Sequence, residues 1–257
     1  MCGTCGCVGG SGEGGGGTRI SVPHAHPHGH DRVHPGGAGG ADAAGETITL
    51  EQKVLVKNDG LAAHNRAWLT ERGIVAVNLM SSPGAGKTTL LERTVRNFAG
   101  RRPVAVVEGD QETALDAERI RRAGGTVVQI NTGAGCHLDA GMVRGALATL
   151  EPGAGSLVLV ENVGNLVCPA LFDLGERSRV VIISVTEGTD KPLKYPYMFA
   201  AADLVIINKI DLLPYVDFDV EQCEKYARSV NPELRVLTVS ATTGEGMADW
   251  YDWVARP

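Results

Sequence analysis

The chain has 257 residues and a mass of 27.0 kDa, and its 43% hydrophobic content can fill the core of one large domain or two small ones. Its 24 Lys and Arg against 30 Asp and Glu give a net charge of -6, which argues against general affinity for nucleic acid or anionic membranes. No window approaches about 18 consecutive apolar residues, and the first residues lack the basic and apolar segments of a secretion signal. We therefore expect a soluble cytoplasmic protein.

Residues 1–45 differ sharply in composition from the rest of the chain. They hold 15 of the 34 glycines, five of the seven histidines and three of the six cysteines. Their few large apolar side chains cannot bury enough surface to offset the entropy lost on ordering. We therefore expect a disordered Cys/His/Gly-rich tail over residues 1–45, followed by a folded domain over residues 46–257.

This tail carries two groups of metal-binding side chains. Cys2, Cys5 and Cys7 form a C-x-x-C-x-C cluster in which the intervening glycines let three thiolates converge. With the Cys2 amine added, these donors suit square-planar Ni²⁺ and equally tetrahedral Zn²⁺; the alternative is that the thiols are incidental. The second group has the composition of a loose metal reservoir, with a compositional accident as the alternative, and comprises His24, His26, His28, His30 and His34.

From residue 46 onward, short β-branched runs alternate with amphipathic segments. The predicted strands are 74–80, 104–108, 126–130, 157–161, 179–185, 204–208 and 235–239. The predicted helices are 50–69, 87–98, 112–123, 138–150, 220–230 and 247–254, the first with a possible interruption at Asn58-Asp59-Gly60. Near-continuously apolar strands between helices indicate a mostly parallel sheet covered on both faces, a three-layer α/β fold.

The first predicted strand runs into a glycine-rich loop and then a helix, which is the order of a phosphate-binding loop (P-loop). In this arrangement Lys87 reaches the β- and γ-phosphates, and the Thr88 hydroxyl ligates Mg²⁺. Ser81 stands where the general signature has glycine, and the alternative is an ordinary glycine-rich turn. The predicted nucleotide-binding residues of the loop are Gly84, Ala85, Gly86, Lys87, Thr88 and Thr89.

The sixth predicted strand ends in Asn208-Lys209-Ile210-Asp211, a pattern that selects guanine. The Asp211 carboxylate can accept two hydrogen bonds from guanine, and adenine offers neither donor there. At the end of the last strand, Ser240 and Ala241 have the position and size of a loop that closes over the guanine carbonyl. Together with the P-loop, these residues predict GTP.

Two acidic strand ends complete the predicted catalytic machinery. Asp110 is placed to polarise the attacking water or hold Mg²⁺, and Glu161 begins a Glu-x-x-Gly segment similar to a Mg²⁺-side switch motif. We assign Lys87, Asp110 and Glu161 to catalysis, and Thr88, Asp110 and Glu161 to Mg²⁺. The alternative for either carboxylate is a helix cap or a solvated strand end.

A second metal site is predicted inside the folded domain. Cys136 and His137 lie in a glycine-rich loop and Cys168 follows Glu161 by seven residues, so all three are expected at the carboxyl edge of the sheet. They would give Ni²⁺ or Zn²⁺ three ligands and leave one position open; the alternative for Cys168 is a core thiol. We assign Cys223 to packing and His64 to the surface of the first helix.

These residues closely resemble one known family, the hydrogenase nickel-incorporation GTPases of the HypB family. The resemblance covers nearly all of residues 46–257, reaches the tail cysteines in members with the extra amino-terminal site, and makes Ser81 normal. It rests on the sequences at 81–89, 108–110, 136–139, 161–169, 190–196 and 208–211.

The resemblance implies a P-loop GTPase that helps load nickel into the large subunit of NiFe hydrogenase. It further implies a GTP-favoured homodimer and a partner metallochaperone of the hydrogenase assembly set. The related urease nickel GTPases carry Cys-Pro-His, whereas Ala170 follows Cys168-Pro169 here. Two further functions stay open: a chaperone of cobalamin enzymes, which the Cys and His content disfavours, and a nickel storage protein with incidental GTPase activity.

Overall fold

The structure, a computed structural model, describes residues 41–110 and 115–256. The chain divides into two units, residues 1–52 and residues 53–257. Of the first unit, residues 41–52 are described and belong to helix α1 (Ala41–Glu71). The tail's predicted cysteine and histidine groups lie outside the described residues, so the metal-binding tail stays a prediction.

All seven predicted strands are present: β1 (Val75–Ser81), β2 (Val104–Asp110), β3 (Thr126–Asn131), β4 (Leu157–Glu161), β5 (Ser178–Ser184), β6 (Leu204–Asn208) and β7 (Arg235–Thr238). The helices after α1 are α2 (Lys87–Phe98), α3 (Leu115–Arg122), α4 (Ala140–Leu150), α5 (Lys191–Lys194), α6 (Pro196–Ala200), α7 (Val220–Val230) and α8 (Met247–Ala255). Two 3₁₀ segments cover Cys168–Leu171 and Ile210–Tyr215. The sequence did not predict α5, α6 or the 3₁₀ segments, because runs of four to six residues are too short to show a helical period.

The strands form one sheet in the order β3-β2-β4-β1-β5-β6-β7, and every neighbouring pair is parallel. Alternate residues of β1 enter different cores: Val77 packs in a cluster with Trp250 of α8, and Ala76 in a cluster with Leu147 of α4. Helices therefore cover both faces, which confirms the three-layer α/β prediction. Cys223 is buried in a third cluster, as predicted.

Helix α1 differs from the prediction, because Asn58-Asp59-Gly60 does not interrupt it. Asn58 is 4% exposed; its Nδ2 donates to the carbonyl of Asp173 at 2.8 Å, and its Oδ1 accepts from the N–H of Ala140 at 2.9 Å. These buried hydrogen bonds outweigh the low helix propensity of the tripeptide. His64 is exposed on the same helix, as predicted.

The described part of helix α3 covers Leu115–Arg122, and the predicted start at residue 112 lies outside the described residues. Within the described part of the chain, no helix combines the length and apolarity needed to cross a bilayer.

Candidate functional site

The P-loop joins β1 to α2 and contacts the motif that ends β6. Gly84 and Gly86 have φ values of 74° and 99°, a conformation that other residues rarely adopt. The Nδ2 of Asn208 donates to the carbonyl of Ala85 at 2.8 Å, and a Cβ at Gly86 would lie 2.5 Å from that nitrogen. The second glycine is therefore required for the close approach of Asn208, which holds the loop against the sheet.

Lys87 is buried at the start of α2, and its Nζ donates to the Oγ of Ser81 at 2.7 Å. Burial lowers its pKa, although neighbouring carboxylates oppose this effect. Ser81, which departs from the general loop signature, thus supplies a polar partner for the catalytic lysine candidate. The next threonine, Thr89, accepts a hydrogen bond from Arg119 of α3 at 3.2 Å.

Two buried carboxylates lie beside the P-loop, at the ends of β2 and β4. The Thr88 hydroxyl donates to the Oε1 of Glu161 at 2.9 Å. Among the described residues, neither the Oε2 of Glu161 nor the Oε2 of Glu108 has a hydrogen-bond partner. Burial raises the pKa of Glu161 to about 7; burial and then the nearby Glu161 carboxyl raise the pKa of Glu108 to about 8.

Both carboxylates line a cavity of about 290 Å³, and Lys87, Asp110 and Asp116 also line it. Buried carboxylate oxygens without protein partners, close to a threonine hydroxyl, are the oxygen donors that Mg²⁺ prefers. The chemistry of this cavity therefore fits a magnesium-bound phosphate group. Glu108 was not among the residues predicted from the sequence. The feature that could have identified it is an acidic residue at the end of an otherwise apolar strand.

The residues predicted to select guanine lie together at the ends of β6 and β7. Lys209 Nζ donates to a carbonyl of the P-loop at 2.7 Å. Ser240 Oγ donates to the Oδ1 of Asp211 at 2.5 Å, and the N–H of Ala241 donates to the Oδ1 of Asn208 at 3.0 Å. One hydrogen-bond network therefore fixes the Asp211 carboxylate, the P-loop and the last loop of the site.

A cluster of metal-binding side chains forms from the segments after β3 and β4. The Sγ atoms of Cys136 and Cys168 lie 2.8 Å apart, and Cys136 Sγ lies 3.6 Å from His137 Nδ1. The ligand atoms of all three residues lie within 4.8 Å of one another. Burial lowers the pKa of His137, whose ring stacks on Phe172 with a centroid distance of 3.9 Å. Two thiols and a neutral imidazole suit Ni²⁺ or Zn²⁺.

Leu138 and Asn162 connect this thiol–imidazole cluster to the phosphate cavity, and sequence reasoning identified neither. The Oδ1 of Asn162 accepts from the N–H of Leu138 at 3.1 Å. The Leu138 side chain is fully buried over Gly109, where an added Cβ would lie 2.8–2.9 Å from its carbons. Both contacts join segments that are more than 20 residues apart in sequence, so no local sequence pattern predicts them.

The part of the chain that carries both sites matches known proteins. Residues 75–238 match the family described as CobW/HypB/UreG, nucleotide-binding domain. The hydrogenase maturation factor HypB of Azotobacter vinelandii is 59% identical over 209 residues, which cover 81% of this chain and 69% of that protein.

Two crystal structures agree with this match. HypB from Archaeoglobus fulgidus is 42% identical with a TM-score of 0.72, over 77% of this chain and 97% of that one. HypB from Helicobacter pylori in complex with nickel is 40% identical with a TM-score of 0.72, over 77% and 93%. The resemblance read from the motifs is thereby confirmed, and this chain belongs to the hydrogenase maturation factor HypB family.

Proposed function

We propose that this chain is a GTPase that couples GTP hydrolysis to the delivery of nickel to the large subunit of NiFe hydrogenase. The observation that carries the proposal is the segment that begins at Glu161 and ends at Cys168. Its first residue accepts a hydrogen bond from Thr88 of the P-loop, and its last residue lies in the thiol–imidazole cluster. A change at the phosphates therefore has a path of seven residues to a metal ligand.

Guanine selection rests on Asp211. The Ser240 hydroxyl orients one of its carboxylate oxygens, and Lys209 packs along the P-loop, so the carboxylate is held before the base arrives. A fixed carboxylate accepts from the N1–H and 2-amino groups of guanine. Adenine lacks both donors, and the carboxylate would then lose its water without compensation.

Hydrolysis in this site depends on positioning and charge. Lys87 would neutralise charge on the transferred phosphoryl group. Thr88, Glu161 and Asp110 would hold Mg²⁺, which would supply charge neutralisation for the phosphate groups. Asp110 would also orient the attacking water, and Lys87, Asp110 and Glu161 are the catalytic residues that we propose.

Nickel is the cargo in this scheme. The thiol–imidazole cluster of Cys136, His137 and Cys168 would receive it, and one coordination position would stay open for a donor or acceptor protein. We assign Zn²⁺ to the same cluster as a competitor, because its soft and borderline donors serve both ions. The three tail cysteines would form a separate nickel site that passes its ion to this one.

We extend the proposal to the proteins that surround the reaction. A GTP-favoured homodimer, a metallochaperone of the hydrogenase assembly set and the hydrogenase large subunit are the expected partners. The competing function is nickel storage, which the abundance of cysteine and histidine in residues 1–45 favours. Storage predicts no effect of the nucleotide on metal transfer.

A transfer experiment separates delivery from storage. Full-length chain is loaded with Ni²⁺, and transfer to a chromophoric chelator is followed with GTP or a non-hydrolysable GTP analogue, each with Mg²⁺. We expect different transfer rates with the two nucleotides, and loss of the difference in Cys168→Ala. The matched control is Cys223→Ala, a buried thiol in α7 that should leave the difference intact. Equal rates in the unmodified chain would favour storage.

A further inference from the structure

Asn162 directly follows Glu161 at the end of β4. Its backbone N–H donates to the carbonyl of Leu79 in β1 at 3.0 Å, so it is fixed to the strand that leads into the P-loop. Its side chain is 1% exposed. Because one peptide bond joins Glu161 to Asn162, a displacement of Glu161 relative to the phosphates would also displace Asn162.

The amide of Asn162 uses both of its ends. Its Oδ1 accepts from the N–H of Leu138, the residue after metal-ligand candidate His137, at 3.1 Å. Its Nδ2 donates to the Oδ1 of Asn78 at 3.2 Å, and Asn78 in turn donates to Glu176 at 3.2 Å. A buried chain of hydrogen bonds thus fixes the orientation of the amide.

Leu138 has little freedom to move independently. Its side chain packs on Gly109, between the two acidic residues of β2, and is fully buried. If the Asn162 amide moved away, the buried N–H of Leu138 would lose its hydrogen-bond partner, and an unpaired buried donor destabilises the folded state. Leu138 is therefore expected to follow Asn162, and His137 to move with it.

From this geometry we propose that Asn162 is the positioning residue that transmits the state of the nucleotide site to the thiol–imidazole cluster. The inference rests on the proposed coupling of nucleotide and nickel, and adds the residue through which it acts. Asn162 lines the same cavity as Glu161, and through its hydrogen bond to the N–H of Leu138 it sets the position of the segment that carries Cys136 and His137.

The substitutions follow from the two ends of the amide. Asn162→Ala removes the donor to Asn78 and the Oδ1 acceptor, which serves the N–H of Leu138 and, at 3.0 Å, the N–H of Val163. Asn162→Asp keeps the acceptor and removes the donor. Asn231→Ala is the matched control, because this amide also uses both of its ends, its Nδ2 donating to two backbone carbonyls and its Oδ1 accepting from the N–H of Glu233, but it lies after α7.

The parent chain for the test is full length with Cys2, Cys5 and Cys7 replaced by alanine, so that thiolate-to-nickel absorption reports the inner cluster. The dissociation constant for Ni²⁺ is measured with GDP and with a non-hydrolysable GTP analogue, each with Mg²⁺. We expect the two constants to differ at least about fivefold in the parent, the lower end of typical couplings between sites. Asn162→Ala should bring the ratio within twofold of one, and Asn162→Asp should restore part of it.

Each result is decisive. A ratio of one in the parent chain overturns the proposed coupling and the inference with it. If Asn162→Ala keeps the ratio of dissociation constants found in the parent chain, the role of Asn162 is overturned while the coupling stands. The same holds if the Ala and Asp variants give equal ratios. If Asn231→Ala also brings the ratio to one, the effect comes from a general loss of structure, and the specific role of Asn162 is overturned.

A measurement on the unsubstituted protein covers the case in which the variants fail to fold. Hydrogen exchange of the Leu138 amide is compared with GDP and with the GTP analogue. The inference requires the protection of this amide to differ between the two nucleotides. Identical protection would overturn it.

Discussion

Replacing Glu161 by glutamine should stabilise the metal-free protein and weaken its binding of magnesium nucleotide. The carboxyl is buried, its Oε1 accepts from Thr88, and its Oε2 has no hydrogen-bond partner in the described part of the chain. Glutamine keeps an acceptor for the threonine and removes the charge. Opposite effects on stability and binding are therefore expected from one substitution.

The magnitude follows from the pKa of Glu161, which burial raises from 4.5 to about 7. The contribution of a carboxyl with a raised pKa to the free energy of unfolding is fully present below pH 4.5, and it is lost as the pH rises through 7. At about 1.4 kcal/mol per pKa unit, the loss at pH 8 is on the order of 3 kcal/mol, against about 1 kcal/mol at pH 5.5. Glu161→Gln should recover these amounts and raise the Tm at pH 8 by roughly 6 to 12 °C.

The assay is thermal unfolding of the nucleotide-free protein with chelator at both pH values, followed by titration with magnesium nucleotide. The matched control is Glu176→Gln, because both oxygens of Glu176 accept hydrogen bonds, from Arg179 at 2.7 Å and from the N–H of Leu174 at 2.7 Å. The control should lose about 1–3 kcal/mol at either pH. A Glu161→Gln protein that is destabilised at pH 8, or equally stabilised at both pH values, would refute the reasoning.

The affinity of Glu161→Gln for magnesium nucleotide should fall at least about tenfold, equivalent to 1.4 kcal/mol. Unchanged magnesium dependence would remove Glu161 from the metal site and leave its burial unexplained.

Three further predictions test the other parts of the site. Lys87→Ala should reduce GTP hydrolysis by about a hundredfold to a thousandfold, as expected for loss of a transition-state charge partner, while equilibrium dialysis still detects tail-bound nickel. Gly109→Ala should weaken nickel binding at the inner cluster, because its Cβ would displace Leu138, and circular dichroism should show that the fold is retained. Cys2→Ala combined with Cys5→Ala should remove the tightest nickel site and leave hydrolysis nearly intact; loss of hydrolysis would contradict the separation of the two sites.

The strands were predictable because each is a short, nearly continuous apolar run between polar or glycine-rich segments. The continuity of α1 was not, because the hydrogen bonds of Asn58 come from residues 82 and 115 positions away along the chain. A tripeptide that favours turns in isolation stays helical where tertiary contacts satisfy it. At this tripeptide the local propensity favours a turn, and the tertiary hydrogen bonds of Asn58 stabilise the helix instead.

The site shows the same division between local and tertiary information. The P-loop and the motif ending at Asp211 could be placed in advance, because the carboxyl ends of parallel strands meet at one edge of the sheet. Glu108 and Asn162 required the structure, since their importance depends on which strands are neighbours. The order of the strands in the sheet cannot be predicted from any single segment of the sequence.

That order explains why the metal ligands are close to the nucleotide. Strand β4 lies between β1 and β2, so its end brings Glu161 to the P-loop and its following segment carries Cys168. The other two ligands follow β3, which lies beyond β2, so their loop must pass the end of β2 to reach Cys168. Gly109 is in β2, and Leu138 packs where a side chain at that position would stand. Completing the cluster thus requires contact with the strand that carries Asp110, and any movement of that strand end must act on both sites.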